Sequence, residues 1–211
     1  PKTVFSSIDK FGRYAYSNQP PIAKWNLARF AECLIPLIDK NEEAAIKIAT
    51  DVIDNFQNIY EKKWLNMMRD KLGLFGEDKN DRQLIDDLLN WMKINKADYT
   101  NTFYYLMGFR DIKNEIYKDK NFINWFKHWE IRTWINGGSK KNSTELMKKN
   151  NPIVIPRNHK VEEALEAANN NDLKPMNSLL SILKKPYTKQ DDIENFQLPS
   201  KNQNYQTFCG T

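Results

Sequence analysis

A chain of 211 residues, 40% hydrophobic and 28% charged, can bury a core as one large domain or two small ones. It contains no apolar run approaching the roughly 18 residues that a membrane helix needs. Its net charge of +5, from 32 basic and 27 acidic residues, is mild and its lysines are scattered, whereas a nucleic-acid footprint needs clustering on one face.

Residues 1–20 contain no helix or strand pattern. The stretch Gly12-Arg13-Tyr14-Ala15-Tyr16-Ser17-Asn18-Gln19-Pro20-Pro21 gathers turn-formers, aromatics and a cation. Gly12 can take a positive φ, and the residue before Pro20 is pushed out of the helical region. An irregular loop is expected, in which the polar groups of Arg13, Tyr14, Tyr16, Asn18 and Gln19 need partners. Pro21 suits a helix's first turn. Ile22, Trp25, Ala28, Phe30, Leu34 and Leu37 then recur mostly three and four apart, predicting a buried helix to about Leu37, disturbed by Pro36.

Asn41 stands where an N-cap belongs, followed by Glu42 and Glu43. The stripe Ala45, Ile48, Val52, Phe56, Ile59, Trp64, Met67 predicts one long helix continuing to Leu72, with Gly73 as its C′ residue. Leu84, Ile85, Leu88, Leu89, Trp91 and Met92 form the face of a third helix. The nearby Asp78, Asp81, Asp86 and Asp87 lack the ligand order, central Gly and closing Glu of a calcium loop. They read as a solvated helix start and its caps.

Asp98 is placed as the cap of a fourth helix with Tyr99, Phe103, Leu106 and Met107, ended by Gly108. Phe122, Trp125, Phe126, Trp129 and Trp134 follow, interleaved with Lys127, His128 and Arg132. Such a segment can be a stacking platform for single strands; the spacing of Phe122, Trp125, Phe126 and Trp129 favours one helical face in the core. Asn142 and Glu145 read as a capping pair before a short helix to Lys149. Two prolines make Asn151–Pro156 extended around Ile153-Val154-Ile155, the one strand-like run. A helix from about Lys160 to Asn169 comes next, then one capped by Asp172 with Met176, Leu179, Leu180 and Leu183 on its core face, then a tail. The expected class is all-α: a loop at 1–20, one helical domain at 21–186 and a tail at 187–211.

Catalytic spacing signatures are lacking: there is no Gly-rich phosphate loop, G-x-S-x-G, Walker-type lysine or H-E-x-x-H. His128, among tryptophans, reads as a partly buried histidine with a hydrogen-bond partner. His159, beside Arg157 and Asn158, reads as part of a capping and turn arrangement. Cys33 and Cys209, far apart and without a C-x-x-C, argue against a disulfide scaffold or a zinc site and make a reducing compartment the default. Cys33 reads as a small buried hydrophobe.

The segment Gly12–Pro20 followed by Trp25-Asn26-Leu27-Ala28-Arg29 resembles the selenoprotein O family, also called the YdiU family, of kinase-like (pseudokinase) protein adenylyltransferases. The resemblance continues through Met68-Arg69-Asp70-Lys71-Leu72-Gly73-Leu74 and Ala97-Asp98-Tyr99-Thr100-Asn101-Thr102-Phe103. It extends over Asn151-Pro152-Ile153-Val154-Ile155-Pro156-Arg157-Asn158-His159 and ends with Tyr205-Gln206-Thr207-Phe208-Cys209-Gly210-Thr211. Family members are much longer, and the resemblance is to their C-terminal part: the helical large-lobe portion of a protein-kinase-like fold with a family-specific helical extension. The start at Pro1, without an initiator Met, fits processing or a truncation.

The resemblance implies transfer of AMP from ATP to Ser, Thr or Tyr hydroxyls of proteins, with ATP and Mg²⁺ handled upstream of Pro1. It therefore implies no catalytic or metal-binding residue and no bound cofactor in this chain. The implied partners are the missing N-terminal lobe of the same protein and protein substrates, with neither membrane nor nucleic acid. Arg13, Tyr14, Tyr16, Asn18 and Gln19 fall in an activation-segment-like position, as candidates for organising the site or touching the acceptor. The alternative for each is packing the segment onto the Trp25 helix. In some members a cysteine near the C-terminus is redox-active; Cys209 lies in that neighbourhood, but residues 1–20 lack the cysteine that would pair with it. Abundant Asn, Lys and Ile suggest an AT-rich genome and hence a bacterium, in which the reducing default makes the cytoplasm the expected location. The competing readings are an independent helical protein-interaction module and, third, a weak nucleic-acid-binding domain.

Overall fold

A computed structural model describes residues 3, 4, 6, 8–109 and 115–200. Among these there is no strand, and the helices are α1 (Gln19–Ile38), α2 (Glu42–Asp54), α3 (Phe56–Lys71), α4 (Asp81–Asn95), α5 (Tyr99–Leu106), α6 (Lys120–Arg132), α7 (Lys140–Asn150), α8 (Asn158–Asn169), α9 (Lys174–Leu183) and α10 (Glu194–Gln197). Short 3₁₀ turns occupy Tyr16–Asn18 and Glu115–Lys118. The chain divides into two compact units, one up to Trp64 and one from Leu65. No described helix is long and apolar enough to cross a membrane.

In the first unit α1 starts with prolines in its first turn, as the fixed φ of proline permits. It runs through Pro36 to Ile38. Asn41 caps α2, its side chain accepting from the Ala44 amide at 3.0 Å. Helices α1 and α2 pair, tied by Lys24 Nζ to Asp54 Oδ1 at 3.1 Å. The buried residues of α2 are Ala45 and Ala49 alone. The expected single helix from Glu42 to Leu72 is instead two. They separate at Asn55, whose side chain accepts from Asn58 (3.3 Å), the local bonding by which Asn competes with helix continuation. A larger departure concerns α1, expected to be buried: it buries no residue, and Trp25, Phe30 and Leu37 are 48%, 61% and 82% exposed. Cys33 is exposed too, its thiol 3.5 Å from the Arg29 carbonyl.

The second unit has a continuous core. Met68, Leu72, Ile85, Leu88, Trp91, Phe103, Tyr104, Phe122, Trp125, Trp129, Met147 and Val154 are all buried. Gly73 ends α3 at φ +68°, and the Leu74 amide returns to the Arg69 carbonyl at 2.9 Å, closing a Schellman-type turn. Two indoles of the aromatic segment, Trp125 and Trp129, are core, as is Trp91 of α4, and each has its N–H satisfied. Trp91 donates to Asp119 Oδ1 (2.8 Å), Trp125 to the Leu84 carbonyl (2.8 Å) and Trp129 to the Leu72 carbonyl (2.9 Å). Trp91 and Phe122 rings lie 4.5 Å apart, and Trp125 stacks on Trp129 at 6.0 Å. These rings pack on one another in the core, as the helical spacing favours. His128 is exposed, on the outer side of α6, contrary to its expected burial.

Helix α7 begins earlier than the Asn142–Glu145 pair predicts: Ser139 is its cap, accepting from the Asn142 amide at 3.2 Å. The strand-like run stays extended but forms no ladder; the Ile153 amide donates to the Pro186 carbonyl (2.7 Å). The tail is anchored as far as α10, with Ile193 and Gln197 both buried.

Candidate functional site

The Gly12–Gln19 segment is braced by its own polar side chains. Gly12 has φ +67°, the left-handed conformation that glycine adopts without strain. The Asp9 carboxylate accepts from the Arg13 and Tyr14 amides, both at 2.9 Å. Asn18 Nδ2 donates to the Gly12 carbonyl (2.7 Å) and Gln19 Nε2 to the Tyr14 carbonyl (2.6 Å). Two of the five candidates, Asn18 and Gln19, are thus occupied in holding the backbone. The bracing carboxylate, Asp9, was not singled out by sequence reasoning, since its bonds reach four and five residues along the chain, beyond the two-residue reach of an Asx turn.

The other three candidates face outward. The Arg13 guanidinium lies 4.7 Å from the Trp25 ring centroid and 5.7 Å from that of Tyr14, while the Arg29 guanidinium lies 5.6 Å from Trp25. Arg29 is also paired with Glu32 (2.5 Å). Tyr14 and Tyr16 are exposed. Burial, with a smaller contribution from Tyr16, raises the pKa of Tyr60. The segment is therefore a rigid loop with one arginine and two phenols on its surface, docked onto the first half of α1 by cation–π contact. Cys209 lies outside the described residues.

The second unit holds two charge networks. Asp81 is 1% exposed, and its carboxylate accepts from Arg69 Nε (2.7 Å), Arg132 Nε (2.7 Å), Arg132 Nη2 (3.2 Å) and the Asp78 amide (3.0 Å). Arg132 also donates to the Phe75 and Gly76 carbonyls. Burial by itself pushes the Asp81 carboxyl up, yet the bonds from Arg132 and Arg69 outweigh it and hold the group below the ordinary carboxylate range. Asp81 is thus the reverse of the solvated acid expected from its neighbours. Its partners are 12 and 51 residues away, a distance that no spacing motif reports.

The second network joins the motif blocks around Asp98 and Arg157. Asp98 caps α5, accepting from the Asn101 amide (2.9 Å), and receives a bidentate grip from Arg157 (2.6 and 2.9 Å). Arg157 Nη2 and Asn101 Nδ2 both donate to the Gln197 carbonyl (2.7 and 3.1 Å), and Gln197 Nε2 donates to the Ile153 carbonyl (2.7 Å). Arg157 is thereby a structural clamp, and although it stands at the N-cap of α8 no side chain caps that helix. Lys71, in the block that also supplies Arg69, sets its ammonium 4.7 Å from the Phe103 ring and 3.3 Å from the Asn150 carbonyl; burial pushes its pKa down. Among the described residues no group of three or more His, Cys, Asp or Glu could hold a metal ion.

The matched blocks thus contribute Arg69, Asp98 and Arg157 to the ion pairs that tie the helices of the second unit together. Residues 1–184 match the family described as Protein adenylyltransferase SelO, and the chain belongs to that family. It is 59% identical over 214 residues to the Protein nucleotidyltransferase YdiU of Pelagibacter ubique, covering all of this chain and 44% of that relative. The proteins of the same name from Nitrosococcus oceani and Brevibacillus brevis are 47% and 49% identical, covering all of this chain and 43% and 44% of theirs. The chain spans less than half the length of these relatives.

Proposed function

We propose that this chain is the helical, acceptor-side part of a protein adenylyltransferase that moves AMP from ATP to Ser, Thr or Tyr hydroxyls of proteins. The observation that carries the reading is the family match over residues 1–184, which takes in the braced Gly12–Gln19 segment. In the reaction an acceptor hydroxyl oxygen bonds to the α-phosphorus of ATP and gives up its proton to solvent, while the bond from that phosphorus to the α,β-bridging oxygen breaks and pyrophosphate leaves with its electron pair.

The two enclosed carboxylates of the second unit are already occupied by partners from this chain. The Asp81 carboxylate is filled by two guanidiniums and an amide, and that of Asp98 by Arg157 and an amide. Nucleotide and cation are therefore assigned to the part of the family polypeptide outside this chain, in a kinase-like arrangement of which this chain supplies large-lobe helices. The role of residues 1–20 is to hold Arg13, Tyr14 and Tyr16 in one fixed surface at the acceptor side, with Asn18 and Gln19 keeping that surface rigid.

The full-length polypeptide, given ATP labelled on the α-phosphate, Mg²⁺ and a bacterial protein mixture, is expected to label protein stably. This chain alone is expected to label nothing, and Arg13→Ala in the full-length protein to lower labelling by about 10- to 100-fold, the range for mispositioning a reacting group. Absence of label from a folded full-length protein contradicts the reading. A second reading, an independent helical interaction module, is favoured by the exposed apolar residues of α1.

A further inference from the structure

The two units differ in one respect that neither composition nor periodicity reveals. Every large buried apolar side chain among the described residues lies at or beyond Met68, whereas the first unit's buried apolar residues are Ala15, Ala45 and Ala49. Three methyl groups do not make a core for some sixty residues. Yet α1 has only three charged side chains, Lys24, Arg29 and Glu32, in its 20 positions. A helix that is apolar nearly all round belongs inside a larger body, and this one exposes Trp25, Leu27, Phe30 and Leu37.

We infer that the exposed face of α1 is the seat of that part of the family polypeptide which lies outside this chain, so that α1 becomes an internal helix of the complete protein. Three observations point to this occupant. A 20-residue helix is about 30 Å long, the diameter of a small domain, so covering it takes a domain-sized body and not a short peptide. The chain accounts for only 43–44% of its relatives' length, which leaves more than half of the polypeptide to supply that body. The braced segment, with Arg13 packed against Trp25, is anchored on the same helix, so seating the missing part on α1 brings it directly beside the proposed acceptor-side surface. The inference rests on the family match and the coverage, and holds whether or not AMP is the group transferred.

Hydrogen–deuterium exchange by mass spectrometry tests it on two proteins, this chain and the full-length polypeptide. The expected result is that α1 amides exchange at least about 100-fold more slowly in the full-length protein, with the amides of α4 and α6 alike in both. Phe30→Asp in the full-length protein is expected to return α1 to fast exchange while α4 and α6 stay protected. Equal α1 exchange in the two proteins overturns the inference, as does unchanged α1 protection in the Phe30→Asp protein. A third overturning result is a doubled mass for this chain, with α1 protection that grows with its concentration, because the occupant is then a second copy. The wild-type comparison needs no variant to fold, and since it reads no activity its outcome is separable from that of the labelling experiment.

Discussion

At Asp81 two guanidinium groups close on one carboxylate that has almost no contact with water. Removing the carboxylate's charge leaves Arg69 and Arg132 facing each other in the interior, the situation in which breaking a buried ion pair is most costly. Asp81→Asn is expected to destabilise the second unit by about 3–5 kcal/mol, read from urea unfolding of this chain. The pH dependence has a defined sign. Because the folded-state pKa of Asp81 is depressed, its contribution is fully present above the ordinary carboxylate pKa of about 3.9. It is lost as the pH falls below that value through the folded one. Asp81→Asn should therefore flatten the acid limb of a stability-versus-pH curve below about pH 4, and an unchanged limb would refute the assignment. Arg157→Lys replaces a planar fork by a single ammonium that cannot span both Asp98 oxygens and the Gln197 carbonyl. A loss of about 1.5–3 kcal/mol is expected by thermal or urea unfolding. Caps at Asn41 and Asp98 were readable from sequence, since their hydrogen bonds reach three residues along the chain. The partners of Asp81 and Arg157 were not, since charge complementarity between distant positions has no local signature.

Among the helices, those of the second unit follow their apolar patterns. Ile85, Leu88, Trp91 and Met92 of α4, and Phe122, Trp125 and Trp129 of α6, are buried as their spacing demands. The turn after α3 is set by Gly73, where a Cβ would sit 2.6 Å from the Ser143 carbonyl oxygen in a left-handed backbone. Gly73→Ala is accordingly expected to cost more than about 2 kcal/mol in the same unfolding assay, combining backbone strain with a clash that only movement of α7 relieves. A substitution without effect would show that α7 is not held against this turn. Helix α1 marks the limit of periodicity: a recurrence of apolar residues says that a face must be covered, and is silent on whether the covering atoms belong to the same stretch of chain. The same holds for Ile48, Val52 and Ile59, apolar in pattern and exposed in the structure. His128 was misplaced for a related reason: it stands at the margin of the face that buries Trp125 and Trp129 and is itself exposed.

For the whole molecule, the all-helical class and the family were legible before any coordinate. Five ordered motif blocks carried the resemblance, and the match over residues 1–184 agrees with it. Less legible was the unequal self-sufficiency of the two units, which depends on packing that a single chain's pattern does not encode. The central claim is that this chain presents an acceptor-side surface while the nucleotide is held by the rest of the polypeptide. Titration calorimetry with Mg²⁺-ATP tests it most directly. The account predicts no measurable heat of binding to this chain and saturable binding, with a Kd within the micromolar to millimolar range of enzyme substrates, to the full-length protein. Saturable binding of Mg²⁺-ATP to this chain alone would contradict it.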